Sequence, residues 1–184
     1  MPDTRRFDLP RLVAAIAVCQ AAGGIGALAT ANSVSTWYVT LKKAPLNPPP
    51  WVFGPAWTLL YTLMGIALYR VWMRSRRRDP APSGAGEPTT IEDGVAAADA
   101  LPRASFAPFW VQLVLNASWS LVFFGLREPL GALFTLVAMQ ASILATMRSF
   151  ARVDRAALWL LAPYAAWVTF AGYLNASVWW LNRE

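Results

Sequence analysis

Five stretches of this sequence contain no Asp, Glu, Lys or Arg: Leu12–Leu41, Ala44–Tyr69, Ala104–Leu126, Pro129–Met147 and Ala156–Asn182. They run from 19 to 30 residues, and about 20 apolar residues cross the hydrocarbon of a bilayer. A soluble domain carries roughly 25 % charged residues, spread over its surface. Here charged residues are 14 % of the chain, hydrophobic ones are 57 %, and the charges stand between the runs. The pattern predicts an all-α integral membrane protein: a single five-helix membrane domain over residues 1–184. Its helices are placed at about 10–31, 50–73, 106–126, 129–150 and 155–181.

The first run is too long for the apolar core of a cleaved signal peptide, and four similar runs follow it. Cys19, the only cysteine, lies inside it, which leaves neither a disulfide framework nor a cysteine metal cluster. The net charge of +6 sits at helix ends, as membrane orientation requires, so no nucleic-acid partner is expected. Arg5, Arg6, Arg11, Arg74, Arg76, Arg77, Arg78, Arg103, Arg148, Arg152 and Arg155 fall on one side. Lys42, Lys43, Arg127 and Arg183 fall on the other. Eleven against four predicts a cytoplasmic N-terminus in a cytoplasmic membrane.

Function classes can be excluded from what the runs lack. The chain has no His, and no Asp, Glu, Lys or Arg stands centrally in any helix. Proton relays and ion-coupled pumps place such groups inside the membrane. A serine triad lacks its base, and no conventional metal site can be assembled. No cofactor, metal site or catalytic residue is therefore assigned.

What the runs do contain is aromatic and small residues at helical spacing. Gln112, Asn116, Trp119, Ser120 and Phe123 share one face of the third helix. Tyr164, Trp167, Val168, Ala171, Leu174 and Asn175 share one of the fifth. Trp51, Gly54, Thr58, Tyr61 and Gly65 share one of the second. Interhelical packing with hydrogen bonds across helices would explain each stripe alone. Three together describe a pocket for a flat, largely apolar ligand held by stacking and a few polar groups. The stretch NPPPWVFGPAW (Asn47–Trp57) reads as a stiff aromatic rim to it, with Trp37 and Tyr38 in the loop before. Proline is suited to the first helical turn; Pro55, further in, should bend or loosen that end. In the first helix, Ala22/Gly26 and Gly23/Ala27 are read as close-packing positions rather than a hinge. The segment Ser75–Leu101, rich in Pro, Gly, Ala and acid, reads as a flexible cytoplasmic insert. Within it TTIED offers a capping start for a short helix over Ile91–Leu101.

WYVTLKKAPLNPPPWVFGPAWTLLYTLMGIALYRVW (Trp37–Trp72), NASWSLVFFGLREP (Asn116–Pro129) and PYAAWVTFAGYLNASVWWLN (Pro163–Asn182) resemble the translocator protein family. That family is also called the tryptophan-rich sensory proteins, and its mitochondrial member the peripheral benzodiazepine receptor. The resemblance covers all five helices in order. It implies a five-helix bundle, commonly a homodimer, that binds porphyrins such as protoporphyrin IX and also isoquinoline carboxamides and benzodiazepines. Carried over by residue, it implies Trp51, Trp119, Trp167, Phe170, Ala171, Leu174 and Asn175; with Asn116 and Phe123 of the third-helix stripe, and Trp37, Tyr38 and Phe53 of the loop and rim, these make up the expected ligand site. The loop Trp37–Pro50 would be its lid. The sterol-recognition pattern of animal members is not carried: Ala176 and Trp180 stand where that pattern has Tyr and Arg.

The expected function is therefore a membrane receptor or carrier for tetrapyrroles. Its competitors are light- and oxygen-dependent porphyrin breakdown, and a scaffold without a ligand.

Overall fold

The computed structural model describes residues 7–78 and 106–183. Five helices follow in chain order: α1 (Leu9–Thr36), α2 (Pro50–Arg78), α3 (Ala107–Ser120), α4 (Pro129–Ala151) and α5 (Arg155–Leu181). A 3-10 turn, Tyr38–Thr40, follows α1, and a π-helical turn, Leu121–Gly125, extends α3. All five helices, α3 with its π turn, are long and apolar enough to cross a membrane. At most a third of the residues in each apolar span are buried inside the molecule. Leu28, Val114, Phe134 and Trp159 instead stand on the outside, where only hydrocarbon can take up such a surface. This is an integral membrane protein.

Helix starts follow their local chemistry. The Asp8 carboxylate accepts from the Arg11 backbone N–H at 3.1 Å and caps α1. Pro50 and Pro129 open α2 and α4 in the first turn, where a missing N–H costs nothing. The Asp154 carboxylate caps α5 by accepting from Ala156 N–H at 3.0 Å. The same buried carboxylate takes Arg70 Nε at 2.8 Å and pairs with Arg74. Burial alone would raise its pKa, but the Arg70 hydrogen bond, the Ala156 N–H and both guanidinium charges outweigh that and hold it below the usual carboxylate range.

α1 does not end near Ala31 but continues to Thr36, so the first loop begins five residues later than expected. Two further expectations need correction. α2 does not stop near Met73 but runs to Arg78, so residues 75–78 of the expected flexible insert are its last turn. Arginine is a good helix former even beyond an apolar span. The rest of that insert, including the short helix placed over Ile91–Leu101, lies outside the described residues. The second correction concerns the end of α3, which is not regular α-helix. Leu126 N–H reaches back five residues to the Leu121 carbonyl at 2.9 Å. Glu128 N–H reaches Val122 at 3.1 Å, and Arg127 between them is left-handed, with φ of 59°.

Packing joins α1 to α2 and α3, α2 to α5, and α4 to both α3 and α5. The principal neighbours thus form a ring in the order α1, α2, α5, α4, α3. Small residues allow the closest approaches, as the α1 spacing suggested. A Cβ on Gly65 would stand 2.5 Å from Ile16 Cα across the α1–α2 seam. The main core lies toward the α4–α5 turn and includes Met64, Val71, Phe109, Phe150, Leu161 and Tyr164. Phe109 and Phe150 stack there at 5.8 Å between centroids. A smaller cluster of Phe123, Phe124, Ala132 and Val178 lies under the first loop, with Trp37 and Tyr38 packed on it.

Candidate ligand cavity

Between those two clusters the helices do not close. α1, α2, α3 with its π turn, α5 and the first loop enclose a cavity of about 670 Å³, inside the range of small-molecule sites. The stripes read from sequence each split along their length. Gln112, Tyr164, Trp167, Val168 and Gly65 go to packing, while Asn116, Trp119, Ser120, Phe123, Gly54, Thr58, Tyr61, Ala171, Leu174 and Asn175 line the space.

The structure brings together eight of the twelve site residues inferred from sequence: Tyr38, Phe53, Asn116, Trp119, Phe123, Ala171, Leu174 and Asn175. Trp37, Trp51, Trp167 and Phe170 are not in the wall. Trp37 meets the edge of Phe123 from behind at 5.6 Å. Trp167 is wedged between Phe53 and Trp57, at 6.0 and 6.4 Å, and Phe170 packs on Trp167 at 5.9 Å. Trp51 is 75 % exposed. The rim segment still contributes: Asn47, Pro48 and Pro50 face the cavity, and the Tyr38 hydroxyl donates to Asn47 Oδ1 at 2.9 Å. Burial raises the Tyr38 pKa above its ordinary value, against the opposing Asn47 bond. Lys43 Nζ stands over the same ring at 4.7 Å.

Trp119 is fixed by the partner its indole requires. Its N–H donates to Asn175 Oδ1 at 3.1 Å, and Asn175 Nδ2 donates to the Pro129 carbonyl at 2.6 Å. Three helices are tied at one point, and the indole stacks on Phe123 at 5.6 Å. The adjacent Phe123 and Phe124, both in the π turn, line the same cavity. π turns recur at functional sites. The Ser33 hydroxyl supports this one by donating to the Phe124 carbonyl at 2.7 Å.

Sequence reasoning missed two contributors. Trp57, read only as the last residue of the rim stretch and not as a site residue, lines the cavity and stacks on Tyr61 at 5.4 Å. α1 supplies a whole wall, including Gln20, Gly24, Ala27 and Thr30. Its signal was the run AAGGIGALAT, whose small residues clear space as well as permit contact. A Cβ on Gly23 would strike the Tyr61 ring at 2.2 Å, whereas one on Gly24 meets nothing within 4 Å. No Asp, Glu, Lys or Arg lines the cavity, and no cluster of potential metal ligands occurs, among the described residues.

A family model for the TspO/MBR family matches residues 15–181. The chain belongs to the TspO/MBR family. A tryptophan-rich protein TspO of Archaeoglobus fulgidus is 37 % identical over 96 % of this chain and 99 % of its own length. One from Chlorobaculum tepidum is 38 % identical over 93 % of this chain and 95 % of its own. The human translocator protein is 34 % identical over 78 % and 73 %. The TspO/MBR match spans all five helices, and thus every element that lines the cavity.

Proposed function

We propose that this protein is a non-enzymatic membrane receptor or carrier that binds porphyrin-like tetrapyrroles in the cavity beneath its first loop. One observation carries the reading: an apolar, aromatic cavity of about 670 Å³ whose described wall holds no ionisable side chain of the Asp, Glu, Lys or Arg type. Such a wall offers stacking on Trp57, Trp119 and Phe123 but no acid–base pair for chemistry. The family, with members named translocator protein and tryptophan-rich sensory protein, supports a small-molecule ligand. The excess of basic residues on the N-terminal side supports a cytoplasmic N-terminus, with the cavity mouth toward the opposite face.

The test is a titration of the protein in lipid nanodiscs with protoporphyrin IX in the dark, followed by tryptophan quenching. Saturation near one ligand per chain is expected. Quenching that rises without saturating, as in empty nanodiscs, would refute the site. Illumination then separates roles: unaltered pigment is expected, and a new absorbance band would replace the receptor reading by catalysis.

A further inference from the structure

The cavity wall has few polar groups, and most of their hydrogens are directed into the protein. Thr30 and Thr58 donate to the carbonyls of Gly26 and Gly54, at 2.6 and 2.9 Å. Gln20 commits its amide N–H groups to the Thr58 carbonyl at 3.0 Å and the Thr62 hydroxyl at 3.1 Å. The Tyr61 hydroxyl donates to Asn116 Oδ1 at 2.5 Å. A threonine bonded to its preceding turn is common in helices. Its consequence here is directional: each of these groups leaves the cavity an oxygen lone pair. The hydrogens left to face a guest are the Ser120 hydroxyl, the Trp57 indole N–H and the spare N–H of the lining asparagines.

The state of Tyr61 is set from behind the wall. Asn116 Nδ2 donates to the Tyr164 hydroxyl at 3.1 Å, and Tyr164 donates to Gln112 Oε1 at 2.8 Å, with the weaker acceptor Met139 Sδ at 3.4 Å. Tyr164 and Gln112 are buried and lie outside the cavity. The chain therefore runs one way, from Tyr61 through Asn116 and Tyr164 to Gln112, whose Nε2 ends without a partner among the described residues. A hydroxyl has one hydrogen. While Gln112 accepts it, Tyr164 cannot donate to Asn116, so Asn116 turns its oxygen to Tyr61.

We propose that the cavity selects flat apolar ligands bearing an O–H or N–H donor, accepted by the oxygens of Tyr61, Thr58 and Thr30. Gln112 is a positioning residue that keeps Tyr61 in its accepting state. The proposal rests on the ligand-cavity reading above and narrows it to a chemical class. A bare carboxylate finds no cation in the described wall and belongs at the mouth, where Lys43 stands over Tyr38.

The experiment uses two probes of one shape, 2-naphthol and 2-methoxynaphthalene, titrated against the protein in nanodiscs with empty nanodiscs subtracted. In the unsubstituted protein the naphthol should bind about fivefold tighter, the net value of one hydrogen bond. Thr58→Val keeps the shape, removes one acceptor and should lower that ratio. Gln112→Met leaves the Tyr164 hydrogen to the Asn116 amide oxygen in preference to the weak thioether acceptor Met139 Sδ at 3.4 Å, and the Asn116 amide then turns and donates to Tyr61. The Tyr61 hydrogen becomes available to the guest, and the ratio should fall to one or invert. Thr58 lies exposed on the wall, so its variant carries the test if Gln112→Met does not fold. Equal affinity for both probes in the unsubstituted protein, or a ratio unmoved in every variant that folds, would overturn the proposal. Failure of either probe to saturate would instead remove the cavity reading on which it stands.

Discussion

The two ends of the bundle are built from the same helix faces and differ in side-chain volume. Toward the α4–α5 turn the inward positions are Met64, Val71, Phe109, Phe150 and Leu161, and they fill the space between helices. Beneath the first loop the helices carry Gly23, Gly24 and Ala27 on α1, Gly54 on α2 and Ala171 on α5, and the space stays open. One end is filled by its own side chains, and the other is the end proposed to accept a guest. An apolar stripe in a membrane helix is thus neither core nor binding site by composition; the sum of facing volumes decides.

Substitutions can break this contrast. The largest effect is expected at the packed end. Phe109→Ala removes a fully buried ring stacked on Phe150 and should cost about 3–5 kcal/mol of stability. Denaturation in mild detergent, compared with protoporphyrin IX affinity, checks that stability falls while the affinity of the folded fraction holds. At the open end, Trp119→Ala should weaken protoporphyrin IX binding by about 1–3 kcal/mol, measured by titration in nanodiscs. An affinity within twofold of the unsubstituted protein would detach Trp119 from the ligand.

The Asp154 tie gives the packed end a pH signature. Its folded-state pKa is depressed by Arg70, Ala156 N–H and Arg74 against the burial that would raise it. The stabilisation is therefore complete above the unfolded carboxylate value, roughly pH 4, and is lost as pH falls through the lower folded value. Asp154→Asn should lower stability at neutral pH by about 1–2 kcal/mol, discounted because both arginines are partly exposed. The variant's melting temperature should also lose most of its dependence on pH between 5 and 2. The smallest effect is expected for Trp51→Ala: with that side chain exposed, binding should change by less than about 0.5 kcal/mol.

Much of this architecture was legible in the sequence because charge is so costly in hydrocarbon. The uncharged runs located five helices, but the exits of α1 and α2 were each placed about five residues early: α1 continues to Thr36, and the Arg74–Arg78 turn of α2 is helical although it is charged. The cavity was legible where a motif carried its own hydrogen-bond partner, as Trp119 does with Asn175. It was illegible where geometry depends on neighbours. Trp51 shares the spacing of Gly54, Thr58 and Tyr61, but in the first turn of α2 it stands exposed. Gly23 and Gly24 are adjacent and identical, yet one is crowded by Tyr61 and the other is open. No periodicity distinguishes them. The π turn, too, follows no 3.6-residue pattern.

The central claim is that the unfilled end is the ligand site. Gly24→Phe and Gly54→Phe test it most directly, because a Cβ at either position meets nothing within 4 Å. Titrated with protoporphyrin IX beside the unsubstituted protein, both should lose at least tenfold in affinity while keeping their melting temperature. Unchanged affinity in both folded variants would contradict the account and place the ligand elsewhere.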